Sequence, residues 1–170
     1  MKRLYKIISQ KHIEQYSQML FLAGPRQVGK TTVAQQLLEE RNGIYLNWDN
    51  PNDRILILGD YRKIMEKTGP KKLGSDKPLI IFDEIHKFKD WKNHLKGFYD
   101  LYKSLVQIIV TGSAKLDVYH KGGDSLMGRY FPHTVHPLSL RECIDHSFNE
   151  DALIQMPFET DNLIYDRLYQ

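Results

Sequence analysis

Apolar residues in this chain gather in two ways: in short runs of strand length, and in longer stretches where they recur at three- and four-residue steps. Met19-Leu20-Phe21-Leu22-Ala23 and Leu79-Ile80-Ile81-Phe82 are unbroken runs, as expected of strands covered on both faces of a parallel sheet. Ile44-Tyr45-Leu46-Asn47-Trp48 and Val106-Gln107-Ile108-Ile109-Val110 predict two more strands. The alternation from His133 to Leu138, ended at Pro137, predicts a fifth. Helices are predicted between them. Leu4, Ile7, Ile8, Ile13 and Tyr16 mark one amphipathic helix or two short ones over residues 3 to 18. Apolar pairs one turn apart in Val33, Ala34, Leu37 and Leu38 place a helix from about Lys30 onward. Ile55, Leu56, Leu58, Tyr61, Ile64 and Met65 predict a single helix over 54 to 66, and Trp91, Leu95, Phe98, Tyr102 and Leu105 another over 91 to 105. A short helix is expected at 116 to 120, and one from Ser139, where Glu142 three residues on completes a capping box.

Breakers fall where this pattern needs them. Arg41-Asn42-Gly43 supplies a basic last turn and a glycine stop, and Asp49-Asn50-Pro51-Asn52-Asp53 ends the second strand. Asp49 reads as a turn-former or helix cap. The loop over 68 to 78 is basic, which suits a solvated surface as well as a phosphate backbone or an acidic partner. At 170 residues, 41% hydrophobic and 26% charged, the chain suffices for one core and is short for two typical domains. The formal charge of +3 tolerates a nucleic-acid partner without demanding one. The single cysteine, Cys143, can form no internal disulfide and reads as a small buried residue; a reducing cytoplasm is the expected location. No apolar run is long enough to cross a bilayer.

Candidate chemistry begins between the first strand and its helix. Gly24-Pro25-Arg26-Gln27-Val28-Gly29-Lys30-Thr31, followed by Thr32, fits the phosphate-binding loop G-x-x-x-x-G-K-[ST], expected by chance in fewer than about one in a hundred chains of this length. Its glycines let successive N–H groups turn inward on phosphate oxygens, Lys30 adds a point charge, and the helix directs its positive end at the same place. Thr31 sets a hydroxyl where a magnesium ion bridging the last two phosphates of ATP would sit. Asp83-Glu84, closing the third strand, reads as a Walker B pair: Asp83 toward the metal, Glu84 toward the attacking water. Thr111-Gly112-Ser113 ends the fourth strand. Ser113 there is either a sensor of the terminal phosphate or a cap on a glycine turn. Arg129, ahead of the fifth strand, is either an arginine finger offered to a neighbouring subunit or half of a structural ion pair, with Glu142 or a backbone carbonyl as partner.

These motifs together resemble the prokaryotic AAA-type (AAA+) P-loop ATPases whose second half is a domain of unknown function. The resemblance rests on GPRQVGKTT at 24 to 32, YLNWDNPNDR at 45 to 54, LIIFDEIHK at 79 to 87, VTGSAKL at 110 to 116, and GRYF with HPLSLRE at 128 to 142. It implies a three-layer α/β/α sandwich with a parallel sheet of strand order 5-1-4-3-2. It also implies a helical lead-in at 1 to 18, an ATPase core at 19 to 145, and a tail at 146 to 170 that begins a further domain. The sensor 1 asparagine usual in the wider AAA+ class is replaced here by Thr111 and Ser113.

The motifs are best read as a Mg-ATP-binding domain in which Gly24 to Thr32 and Asp83 hold the cofactors, Thr31 and Asp83 the metal, and Glu84, Lys30, Ser113 and Arg129 serve catalysis. The alternative is a nucleotide-dependent DNA- or protein-binding switch with little or no hydrolysis. A GTPase fits worse, because the chain has no Asn-Lys-x-Asp guanine reader and no Asp-x-x-Gly switch. Asp83-Glu84-Ile85-His86 looks like a DExH helicase box, but the loop lacks the helicase pattern; His86 reads as a helix-start residue. A homo-oligomer, a protein partner and nucleic acid all remain open as partners, and a membrane is not expected.

Overall fold

In a computed structural model, which describes residues 3–68, 77–113, 116, 126–139 and 142–143, four strands form where the apolar runs lie: Met19–Ala23 (β1), Gly43–Asn47 (β2), Leu79–Asp83 (β3) and Gln107–Thr111 (β4). A fifth, β5, spans Tyr130–Thr134. All neighbours pair in parallel in the order β2-β3-β4-β1-β5, the expected 5-1-4-3-2 read from the other edge. The helices are α1 (Leu4–Gln15), α2 (Lys30–Glu39), α3 (Pro51–Leu58), α4 (Tyr61–Lys67) and α5 (Trp91–Tyr102).

Strand alternation sends neighbouring residues into two separate cores, and this makes the three layers. Leu20 and Leu22 of β1 join Ile81, Ile109, Val33, Leu37 and Ile13 under α1 and α2. Met19 and Phe21 join Phe82, Val110, Ile57, Ile64, Leu95 and Phe98 under α3, α4 and α5. β1, β3 and β4 are buried throughout because each has a strand on both sides and a helix layer on both faces. β2 and β5 are the edges and stay half-buried. Among the described residues no helix is long and apolar enough to cross a membrane.

Four sequence expectations shift. The helix expected over 54 to 66 is two, because the Asp60 side chain accepts the Arg62 N–H and caps a new helix after Gly59. The bend brings Ile57 and Ile64 into one core. The fifth strand begins at Tyr130 rather than His133. Tyr130 pairs with Met19 and stacks on Phe21 at 4.5 Å between ring centroids, while Pro132 is tolerated because β5 is an edge. Asn50, not Asp49, caps α3, with Pro51 at its first position; Asp49 lies in the preceding turn. Cys143 is exposed, not buried; Glu142 beside it takes the buried position. The remainder of the helices expected at 116 to 120 and from Ser139, the loop at 69 to 76, and the tail at 146 to 170 lie outside the described residues.

The capping box does form, with Ser139 Oγ accepting from Glu142 N at 3.2 Å and Glu142 Oε2 accepting from Ser139 N at 2.8 Å. Glu142 Oε1 also accepts the Leu4 N–H at 3.0 Å and lies 3.2 Å from Arg3 Nε. Burial alone would raise this carboxyl's pKa, but the N–H bonds from Ser139 and Leu4, with the Ser139 hydroxyl and the Arg3 charge, hold it below the ordinary value. A depressed carboxyl contributes stability above its unfolded pKa and loses it as pH falls through the folded one. Glu142→Gln is therefore expected to cost about 1–3 kcal/mol in urea denaturation at neutral pH. The gap from the parent should close below about pH 4; an equal gap at both pH values would refute the assignment.

Candidate functional site

The phosphate loop is the turn from β1 into α2, and its backbone explains its spelling. Gly24 has φ 143°, and a Cβ there would stand 2.3 Å from the Val135 carbonyl oxygen, at the end of the β5 ladder. Gly29, at φ 89°, occupies the left-handed region at the N-cap of α2. Gln27 shares that region at φ 63°, an unfavourable place for a residue with a side chain and one typical of functional loops. Val28 is buried in the α1/α2 core and pins the loop, while Pro25, Arg26 and Gln27 face solvent. Thr32 is exposed on the first turn of α2.

Lys30 is 8% exposed, and its Nζ donates to the carbonyls of Gly24 at 3.1 Å and Pro25 at 2.5 Å. Burial pushes its pKa down, and the charges of Glu84 and Asp83 pull it partly back. An anion entering the loop would give this ammonium a stronger partner than two carbonyls.

Asp83, 5% exposed, accepts three hydroxyls: Thr31 Oγ1 at 3.1 Å, Tyr45 OH at 2.5 Å, and Thr111 Oγ1. β3 supplies the carboxylate and α2, β2 and β4 the donors, so strand register brings Tyr45 and Thr111 to it and the turn from β1 into α2 brings Thr31. Thr31 and Asp83 are oxygen donors facing each other, the set a hard cation such as magnesium takes. The residues therefore fit the metal expected from the sequence. Burial and the bond to Asp83 raise the Tyr45 phenol's pKa, so it remains a donor.

Glu84 comes next at φ 58°, a second left-handed residue with a side chain, its N–H bonded to the Thr111 carbonyl at 3.0 Å. Its carboxylate lies 3.1 Å from Lys87 Nζ and 3.9 Å from His86 Nε2, and Lys87 also holds Asp49 at 2.5 Å. The bond that Lys87 donates to Asp49, against slight desolvation and with help from Glu84, raises the Lys87 pKa. Ser113 Oγ lies 3.1 Å from His86 Nε2. Gly112 must be small here, since a Cβ would stand 2.6 Å from His86 Nδ1.

Lys30, Thr31, Asp83, Glu84 and Ser113 thus meet at the C-terminal ends of β1, β3 and β4. Arg129 does not join them. Its carbonyl accepts the Met19 N–H at 2.8 Å, at the opposite end of β1. A five-residue strand separates it from its own loop by roughly 15 Å. Its guanidinium grips Asp100 through two bonds of 2.8 and 3.0 Å and reaches the Met127 carbonyl at 3.4 Å. The expected partner Glu142 is instead beside Arg3.

Sequence reasoning missed Tyr45, Lys87 and Arg3. Tyr45 reads as one more apolar strand residue, and nothing local marks its hydroxyl. Lys87 carried a signal, an acid three residues earlier at Glu84. Arg3 is 133 residues from His136, whose carbonyl it meets at 2.9 Å, and its Nη1 lies 3.6 Å from where a Cβ on Gly29 would stand. Tyr45→Phe is expected to leave the fold intact and weaken magnesium-dependent stabilisation by nucleotide roughly three- to tenfold, through loss of one charge-assisted bond on Asp83. Thermal melts across a magnesium titration check this; an unchanged midpoint would assign Tyr45 to packing alone.

One solved structure agrees with this geometry at the level of fold. Caenorhabditis elegans PCH-2 matches at 18% identity with a TM-score of 0.50, over 79% of this chain and 40% of that one. A structure of Pif1 helicases at forked duplex DNA matches at 16% with a TM-score of 0.48, over 79% of this chain and 43% of that one. The match thus spans less than half the length of either. Among curated proteins none matches. A family profile described as an AAA domain covers residues 16–144, from just before β1 to just beyond Glu142. The chain therefore belongs to the AAA domain family, a nucleotide-binding ATPase module.

Proposed function

We propose that this module binds Mg-ATP at residues 24 to 32 and hydrolyses it to drive a conformational change. The observation that carries the reading is the convergence of Lys30, Thr31, Asp83 and Glu84 at one end of the sheet. The loop N–H groups and Lys30 would bind the phosphates, with Lys30 exchanging two carbonyls for the terminal oxygens. Thr31 and Asp83 would hold magnesium, which offsets charge developing between the last two phosphates. Glu84 would orient the attacking water and accept its proton once its carboxylate leaves Lys87. Ser113, positioned through His86 beside Glu84, would report on the terminal phosphate. The ATPase core is taken as residues 19 to 145, with 1 to 18 as its lead-in and 146 to 170 as the start of a further domain. A reducing cytoplasm suits its one cysteine.

One observation favours a second reading. Glu84 is held by Lys87, and Ser113 by His86, so a chain that binds nucleotide and switches without turning it over is the alternative.

Lys30→Ala is expected to abolish Mg-ATP binding in calorimetry, since the loop keeps its N–H groups but loses the ammonium held within it; unchanged affinity would sink the nucleotide reading. Glu84→Gln should bind normally and lose at least about a hundredfold in single-turnover hydrolysis. Equal rates would favour the switch.

Arg129 is proposed as an arginine finger acting on a neighbouring copy, released from Asp100 on assembly. Turnover per chain should then rise with protein concentration, and mixing Arg129→Ala with Lys30→Ala chains should restore some activity. No rise and no rescue, with only a lowered melting temperature, would leave Arg129 as the structural partner of Asp100.

A further inference from the structure

One flank of α5, beside its buried stripe, carries lysines that the nucleotide site does not use. Lys92, Lys96 and Lys103 fall within roughly 40° of one another at 100° per residue, so they align along about 16 Å of helix and its C-cap. Lys89 is exposed two residues ahead of the helix, and Lys77 Nζ donates to the Lys103 carbonyl at 3.3 Å. Arg129 joins through its two bonds to Asp100 on the same face. Against these six basic groups stand two acidic ones, Asp90 and Asp100, an excess of four where the whole chain's excess is three. Lys87 is outside this count because Glu84 and Asp49 engage it.

The form of the ridge limits what it fits. The aromatic rings beneath it are covered: Trp91 and Tyr99 are 8% and 6% exposed, with Lys92 and Lys103 ammonium groups 5.7 and 5.8 Å from their centroids. Single-strand binders set open aromatic faces beside their cations so that bases can stack, and this ridge offers none. Protein interfaces are anchored by large apolar side chains, and the exposed one on this helix, Leu101, points roughly 150° away from the lysines. What remains is a straight row of cations, the complement of a duplex that carries a negative charge per about 1.7 Å of axis.

We propose that this ridge docks the phosphate backbone of duplex nucleic acid, without regard to sequence. The proposal is independent of nucleotide binding, since no residue of the phosphate loop takes part, and the variants that test it leave Arg129 in place. The chain is titrated into a labelled, mixed-sequence DNA duplex and followed by fluorescence anisotropy from low to physiological salt. The expected log–log slope of affinity against salt is about −4, from four to five contacts. The combined variant Lys89→Gln, Lys96→Gln, Lys103→Gln should reduce that slope by about 2 to 3 and the affinity by about a hundredfold. Arg62→Gln, Lys63→Gln, Lys67→Gln on α4 removes the same charge elsewhere and should leave the slope alone. Circular dichroism confirms that both variants fold. A single strand of the same length should bind more weakly than the duplex. The proposal is overturned if the duplex does not bind, or if the α4 variant loses as much as the α5 variant, which would make the effect one of net charge. It is equally overturned if polyglutamate binds as tightly as DNA, which would make the ridge a site for acidic protein.

Discussion

The Asp83 carboxylate is the point on which this site depends. It is nearly inaccessible to water, and a charge so placed is costly unless hydrogen bonds replace its hydration. Three hydroxyls do so, from α2, β2 and β4, each bond to a charged acceptor contributing roughly 1.5–3 kcal/mol. The same contacts fix the first turn of α2 against the sheet, and with it the orientation of the phosphate loop. The proposed metal site and a structural clamp are thus one group of atoms. This places Thr31 opposite Asp83 before any nucleotide arrives.

Around that clamp the backbone is held in costly conformations. Gln27 and Glu84 are the described non-glycine residues with positive φ, one in the phosphate loop and one just after β3. Such residues persist only where their surroundings over-determine them. Val28, buried beside Gln27, and the Thr111 carbonyl, bonded to the Glu84 N–H, supply that constraint. The loop is also buttressed from the chain's far end. Arg3 and Glu142 form a pair 3.2 Å apart, both almost wholly buried, beside Gly29. Removing either partner would strand a charge, so the start of α1 and the segment after β5 are bound to each other and to the loop's flank.

Two faces of the molecule divide its chemistry. The C-terminal ends of the strands gather the candidate nucleotide residues, as open parallel sheets generally do. Arg129 lies at the other end and can serve catalysis only on another copy. α5 runs from one end to the other, carrying the lysine ridge from beside Lys87 to beside Arg129.

Much of this was written locally in the chain. The apolar runs specify buried parallel strands because a strand covered on both faces has no polar positions, and the phosphate loop and the Asp83-Glu84 pair are contiguous motifs whose spacing is their chemistry. The capping box of Ser139 and Glu142 was legible for the same reason, as both halves lie within one turn. Tertiary structure decided what depends on register and on distant partners. β5 begins at Tyr130 because five residues of β1 and the face of Phe21 are available to pair with it, which local alternation cannot record. The helix break at Gly59-Asp60 was won by a side-chain cap that competes with continuous periodicity. Tyr45, Arg3 and the Asp100 partner of Arg129 were hidden because a hydroxyl or a charge shows its purpose only when folding delivers its partner, 38, 139 and 29 residues away in sequence.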